Sequence, residues 1–336
     1  MTQQTHELKN RPRIVSYASM AGPMEAQGPM AKHFDRVFTD DRLGQDSFEQ
    51  AECQMLIRTI HLALDKARKL PEAVSFLLAG DLLNQIISSS FAAREVKIPM
   101  LGLYGACSTM AEGLCLGAML VNAGYGKLAL AGTASHFSTA ERQYRTPLEM
   151  GCQRPPTAQR TVTGAGATLI GTEGHGPCIP CVTLGRVIDL GISDPNQMGA
   201  AMAPAAADTL LTHFKETQRS PADYDLIVTG DLGTIGASIL RELMAQAGYP
   251  LDNKLMDCGE EIFRGMPHVD AGGSGAGCSA VTLNGYLMHR LEEGKLRRVL
   301  FTATGALLSP TTTMQKESIP GIAHAAVIEQ EAAWTT

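Results

Sequence analysis

The best-placed nucleophile in this chain is a cysteine at the joint between a short apolar strand and a buried helix. Cys107 stands in Gly105-Ala106-Cys107-Ser108-Thr109, inside an apolar stretch that runs from Pro99 to His136. A thiol there meets the positive end of a helix dipole and backbone N–H groups without intrahelical partners. Both favour the thiolate, the form that attacks thioesters and other electrophiles. On position alone the same residue also reads as a small buried core thiol, the common fate of a free cysteine. Two acids, Asp81 in Gly80-Asp81-Leu82 and Asp231 in Gly230-Asp231-Leu232, follow apolar runs where strands should end. Each reads either as a helix cap or as a group facing a pocket.

The elements that must position these groups follow from hydrophobic spacing. Behind Cys107, Met110, Ala111, Leu114, Ala118 and Val121 recur at three- and four-residue intervals, and Gly113 and Gly117 permit close packing. Gly124 is placed to end that helix. It is apolar on nearly every side, as expected of a helix inside a large domain. Val74–Ala79 is a nearly continuous apolar strand of the kind buried on both faces. Helices are expected over 47–70 and 86–96. Thr161–Thr172 and Val182–Ile188 read as strands joined in a hairpin through Gly174–Pro180. A second set follows, with helices over 201–218, 235–247 and from Gly277 to about Leu291, and strands over 224–229, 298–303 and 323–329.

With 336 residues, 44% of them hydrophobic and 18% charged, the chain has ample core and no disorder signature. A net charge of −6 excludes the basic footprint of a nucleic-acid binder. No apolar leader opens the sequence, so its 8 cysteines are expected to be reduced and intracellular. Cys178 and Cys181 form a single CxxC flanked by prolines; with no second pair, two small buried residues are favoured over zinc. No stretch supplies the roughly 20 apolar residues of a membrane span, so any membrane association is expected to be peripheral.

An internal repeat organises the whole. Leu77-Leu78-Ala79-Gly80-Asp81-Leu82 is echoed by Ile227-Val228-Thr229-Gly230-Asp231-Leu232, and Gly126-Lys127-Leu128 by Gly294-Lys295-Leu296. Ala106-Cys107-Ser108-Thr109 is echoed by Gly277-Cys278-Ser279-Ala280, which pairs Cys278 with Cys107. Two such α/β halves, each burying parallel strands, should pack in layers with pockets at the strands' carboxyl ends.

A duplicated α/β half with a cysteine opening its central helix resembles the thiolase and ketosynthase superfamily. The segments Ala79–Gln85, Tyr104–Thr109, Ala140–Arg145, Ala201–Thr209 and Ala303–Pro310 are similar, more specifically, to the stage V sporulation protein AD family of endospore-forming bacteria, over roughly residues 14 to 330. The resemblance implies a thiolase-like α/β fold in five αβαβα layers, with an arm over 1–13 and halves over 14–190 and 191–336. It further implies a homodimer with no cofactor, and peripheral placement at the forespore inner membrane beside small integral membrane proteins encoded with it. The ligand it implies is dipicolinic acid, bound during loading of the developing spore. Whether calcium accompanies that ligand stays open.

Enzymes of the superfamily need helpers for the thiolate, each worth several kcal/mol of barrier. A histidine is expected at the strand exit of the second half, where this chain has Gly230-Asp231, and a second polar group near Gly272–Cys278, where it has neither His nor Asn. His324 is the residue that could approach from the last strand. The balance favours binding without catalysis. A flat dianion needs N–H donors and cations. The candidates are Cys107 at the helix start, with His136, Arg142 and Arg145 as charged contacts and Asn84 as a neutral donor. Asp81 and Asp231 would orient basic groups or tolerate a calcium complex. The rival readings are an acyltransferase using Cys107, and a scaffold for membrane partners that binds no small molecule.

Overall fold

Two six-stranded sheets built on one strand pattern frame the molecule, whose computed structural model describes residues 3–144 and 155–330. The N-terminal half runs β1 (Thr5–Glu7), β2 (Arg13–Ala21), β3 (Arg36–Val37), α1 (Phe48–Ala67), β4 (Phe76–Gly80), α2 (Ile87–Val96), β5 (Met100–Gly102), α3 (Thr109–Asn122), β6 (Leu128–Ser135), α4 (Phe137–Tyr144), β7 (Arg160–Thr161) and β8 (Gly164–Gly171). The chain continues through β9 (Cys181–Thr183), α5 (Met198–Thr217), β10 (Leu226–Thr229), α6 (Gly233–Gln246), β11 (Leu255–Asp257), α7 (Cys258–Ile262) and β12 (Gly273–Ser274). A helix over 276–292 follows, α8 (Ala276–Val281) and α9 (Met288–Glu292) joined by a π-helical stretch, then β13 (Arg298–Ala306), α10 (Pro310–Met314) and β14 (Gly321–Glu329).

The first sheet has the order β3-β2-β8-β6-β4-β5 and the second β1-β9-β14-β13-β10-β11. In each, three neighbours are parallel (β6-β4-β5 and β13-β10-β11) and the hairpin-like partner is antiparallel (β8 and β14). Helix α3 lies between the sheets, packed on β4, β6 and β8 of one and β13 and β14 of the other, with α8 beside it. Outer layers come from α1 and α2 on the first sheet and α5 and α6 on the second. The layers are therefore αβαβα, as the resemblance implies.

Local sequence explains the main elements. Ser47 and Gln50 form a reciprocal capping box at the start of α1. The apolar wrap of α3 is used on both sides, since Met110, Leu114 and Val121 are all but inaccessible. Burying each contributes about 1.5–3 kcal/mol. Small residues in β6 and β8 let the central helices approach closely. A Cβ on Gly166 would lie 2.5 Å from the carbonyl oxygen of Ala280.

Three sequence expectations change. The stretch 1–13 is more than an arm, because β1 pairs with β9 on the edge of the second sheet and the Thr5 N–H donates to Glu216 at 2.6 Å. β8 and β9 do not form a hairpin: β8 lies in the first sheet between β2 and β6, whereas β9 joins the second, so the chain crosses layers between them. The repeat also slips by two residues at the cysteine. Gly277 donates its N–H to Ser135 Oγ at the end of β6, and the matching contact at the end of β13 sets Gly305 against Gly105 and Ser108. Ser108 thus corresponds to Gly277, and Cys107 to Ala276. The backbone agrees, with left-handed φ at Ala106 (50°) and at Gly275 (99°). Cys278 instead matches Thr109: Thr109 packs against Gly80 and Cys278 against the Gly230 carbonyl.

Candidate functional site

One inner strand of each half ends on the same cavity. β4 ends at Gly80 and delivers Asp81; β13 ends at Ala306 and delivers Leu307, Leu308 and Ser309. Between them the chain turns through Ala106–Ser108 into α3, with Ala106 held in a left-handed conformation, and this turn sets Cys107 on the cavity floor. The cavity has a volume of about 310 Å³ and is mostly apolar, with Leu82, Ala140, Met198 and Leu308 in its walls. Its polar edge comes from Tyr104, Tyr144, Thr161, Ser274, Ser309 and Thr312. Among the described residues, no histidine, lysine or arginine lines it.

Asp231 lies behind Cys107 as a hub of hydrogen bonds. Its Oδ2 accepts from the Gly275 N–H at 2.8 Å and from Ser274 Oγ at 3.3 Å, its Oδ1 from Thr304 Oγ1 at 3.2 Å, and the Cys107 thiol donates to the same carboxylate. Complete burial raises its pKa, and the four donors oppose that rise. It caps no helix. That role falls to Asp257, which accepts the N–H groups of Leu232, Gly233 and Glu260 and is pushed up to about 7 by burial. Asp81 does anchor a helix start: it takes the Leu83 N–H at 2.9 Å and the Ser89 N–H, in the first turn of α2, at 2.7 Å. Burial raises its pKa as well.

Beneath Asp81 lies a third acid, Glu52 of α1, whose pKa burial and then the Asp81 charge push well upward; Thr139 donates to it at 2.6 Å. At the mouth, Tyr144 donates its phenol proton to the Leu82 carbonyl, and Tyr104 Oη accepts the Gln85 N–H at 2.5 Å. Burial raises the Tyr144 pKa, so this phenol stays protonated and remains a donor.

The structure brings Cys107, Asp81 and Asp231 together and sends the expected cationic contacts elsewhere. His136 is fully buried, its Nδ1 accepting the Ser138 N–H at 3.1 Å and its Nε2 donating to the Asp41 carbonyl at 2.8 Å. That pairing fixes a neutral ring, and burial lowers its pKa. Arg142 turns toward α1, pairing with Glu49 at 3.2 Å over the Phe48 ring. Asn84 is exposed on the short turn before α2, outside the cavity wall. His324 accepts the Gly185 N–H at 3.3 Å, is held down to about 4 by burial, and does not line the cavity. Arg145 lies outside the described residues.

Sequence reasoning missed Tyr144, Thr161 and Met198, which reach the cavity from three separate segments and share no local spacing. Ser274 and Tyr104 were within reach, since both lie close to the glycines that mark the two equivalent turns. At the CxxC, Cys178 takes a contact from Arg11 at 3.2 Å and Cys181 lies in β9, and no cluster of metal-ligating side chains occurs among the described residues.

The chain's solved structural neighbours share its layers at low identity. Cerulenin-bound OleA of Xanthomonas campestris superposes with a TM-score of 0.61 at 13% identity, covering 95% of this chain and 96% of that one. The 3-oxoacyl-[acyl-carrier-protein] synthase III of Aquifex aeolicus VF5 gives 0.57 at 12% identity over 95% and 99%. These show the thiolase-like fold alone. Sequence goes further: the stage V sporulation protein AD of Bacillus subtilis (strain 168) is 47% identical over 317 residues, 94% of each chain. The model of the family described as stage V sporulation protein AD matches residues 2–329. On both grounds the chain belongs to the stage V sporulation protein AD family.

Proposed function

We propose that this chain serves sporulation by binding dipicolinic acid in the Cys107 cavity without transforming it. One observation carries the reading. The thiol that would be the nucleophile of a condensing enzyme faces the Asp231 carboxylate, and no imidazole lines the cavity among the described residues. Among the described residues, the cavity wall offers no imidazole to take the thiol proton. What remains is a built pocket. Ligand pockets begin at about 300 Å³, so a cavity of about 310 Å³ suits a single flat ring.

Charge decides the form of the ligand. A free dianion entering a wall that, among the described residues, presents Asp81 and no cation would be left uncompensated. The one-to-one calcium chelate of dipicolinate is neutral, and its outer carboxylate oxygens can take the phenol and hydroxyl protons at the rim. We therefore assign the chelate as the species bound. No helix among the described residues is long and apolar enough to cross a membrane. The reading places the protein peripherally at the forespore inner membrane, beside integral membrane partners. A second copy belongs to it too: β5 is the outermost strand of its sheet, and Phe91, Leu101 and Tyr104 are exposed around it.

Isothermal titration calorimetry with dipicolinate, with and without calcium, tests the assignment, with phthalate and acetyl-coenzyme A as comparison ligands. Saturable calcium-dependent heat, lost in Ala140→Phe, which fills the cavity, is the expected result. Acyl transfer to Cys107 seen by intact mass, with no dipicolinate heat, would overturn it in favour of an acyltransferase. No heat from any ligand would leave a scaffold.

A further inference from the structure

The lip of the cavity, from Leu82 to Ile86, is held in a conformation that its own residues disfavour. Gln85 and Ile86 have φ of 59° and 44°, the one place among the described residues where two consecutive non-glycine residues are left-handed. For the β-branched Ile86 this is a true outlier. Such strain persists only where the surroundings impose it. Here two phenols of the cavity wall do so: Tyr144 donates to the Leu82 carbonyl, and Tyr104 takes the Gln85 N–H and lies 3.5 Å from the Leu83 carbonyl. The far side of the lip touches the exposed edge of the first sheet. The Ile86 Cδ1 sits over Gly102 of β5, where a Cβ would approach to 2.6 Å. Directly after Ile86 begins α2, which carries the exposed Phe91.

We infer that Tyr104 and Tyr144 are the carboxylate-reading groups of the cavity and that, in turning to a bound carboxylate, they release the lip. This rests on the dipicolinate reading above. Tyr144 bonded to a carboxylate makes a charge-assisted bond, stronger than the one it gives the Leu82 carbonyl, and Tyr104, in swinging its hydroxyl to the same ligand, leaves the Gln85 N–H it now accepts. The exchange therefore favours the occupied, released state, and relief of the left-handed pair favours it further. A ligand shifts a conformational balance only by contacts it makes unequally in the two states, and these two phenols supply them. Occupancy of the cavity is thereby passed through Ile86 to β5 and α2, the edge where a second copy or a membrane partner would read it.

Hydrogen exchange resolved to single amides tests this, on the full chain with and without calcium dipicolinate, with calorimetry run on the same samples. The Gln85 amide, bonded to Tyr104, is expected to exchange roughly tenfold faster with ligand, in line with loss of one hydrogen bond. Tyr104→Phe should show the faster rate without ligand, and Tyr144→Phe should bind the chelate more weakly. The Leu130 amide in the central strand β6 serves as the internal control for global stability. Binding by calorimetry with Gln85 unchanged or slowed would overturn the lip mechanism and leave the binding reading intact. Absence of binding by calorimetry would overturn both.

Discussion

The thiol of Cys107 donates its hydrogen bond to the carboxylate of Asp231, across the seam between the two halves of the fold. The acid is held by three further donors, from Ser274, Gly275 and Thr304. A thiolate formed there would set a second negative charge beside the first, whereas an imidazolium in the same place would offset it. The scaffold thus keeps a cysteine at the head of its central helix with its thiol proton directed at a buried carboxylate.

Asp231→Asn should accordingly wake the thiol. The amide keeps the size and an acceptor oxygen but removes the charge, so alkylation of Cys107 by iodoacetamide at neutral pH is expected to speed up by roughly tenfold or more. Intact-mass kinetics read it directly. The same change turns one acceptor into a donor facing donors, and should cost about 1–3 kcal/mol of stability. A variant alkylated no faster than the parent would show that Asp231 does not restrain the sulfur.

His136 and Arg142, which the sequence suggested as anion contacts, should separate cleanly from ligand binding. Arg142→Ala removes an exposed pair with Glu49, worth less than about 1 kcal/mol, and should leave dipicolinate affinity unaltered. His136→Ala empties the space of a fully buried ring and leaves the buried Ser138 N–H without its acceptor, and should lower stability by about 2–4 kcal/mol in urea melts. A large loss of affinity in Arg142→Ala would return that residue to the site.

Stability should carry a pH signature from Glu25. Burial raises its pKa from 4.5 to about 7, while its Oε1 accepts the Thr163 N–H at 3.0 Å. The folded state therefore keeps this proton over a window, from about 4.5 to about 7, in which the unfolded chain has lost it. The contribution is present in full below that window and is lost as pH rises through it, up to about 3 kcal/mol in all. Buried His213 and His324, each lowered to about 4, slope the opposite way, since the unfolded chain takes up their protons first as pH falls below 6.5. The difference between parent and Glu25→Gln isolates the acid, because glutamine keeps the acceptor for Thr163 and cannot titrate. Urea midpoints from pH 4.5 to 8 should fall more steeply in the parent; parallel curves would remove Glu25 from the account.

Much of the architecture was legible because the fold repeats itself at backbone positions that tolerate little else. Gly80-Asp81 and Gly230-Asp231 both mark the ends of inner strands, and the apolar wrap of Met110–Val121 announced a helix between two sheets. The repeat misled where chemistry and position part. Cys278 looks like Cys107, yet the shared constraint is a left-handed turn, carried by Ala106 in one half and Gly275 in the other. The order of β8 and β9 was hidden for a similar reason, since alternation tells which face of a strand is buried but not which sheet it joins. At the site, Tyr144, Thr161 and Met198 meet only because layers stack, and Arg142 turned away because Glu49 and Phe48 on α1 lie within its reach.

One close joint between the halves is readily tested. A Cβ added to Gly305, at the end of β13, would fall 2.2 Å from the Gly105 carbonyl oxygen and 3.2 Å from the Ser108 nitrogen. Both neighbours are backbone in the turn that carries Cys107, so neither can swing aside as a side chain would. Gly305→Ala must push that turn, which should cost about 1–3 kcal/mol and change the alkylation rate of Cys107 as its sulfur leaves Asp231. Gly132→Ala, in β6, is the control: its nearest contact would be an ordinary 3.5 Å, to the side chain of Leu130. That variant should melt within about 0.5 kcal/mol of the parent, with the thiol rate unaltered. Equal behaviour of the two would mean that the turn has room to give, and that Cys107 is not placed by the opposite half.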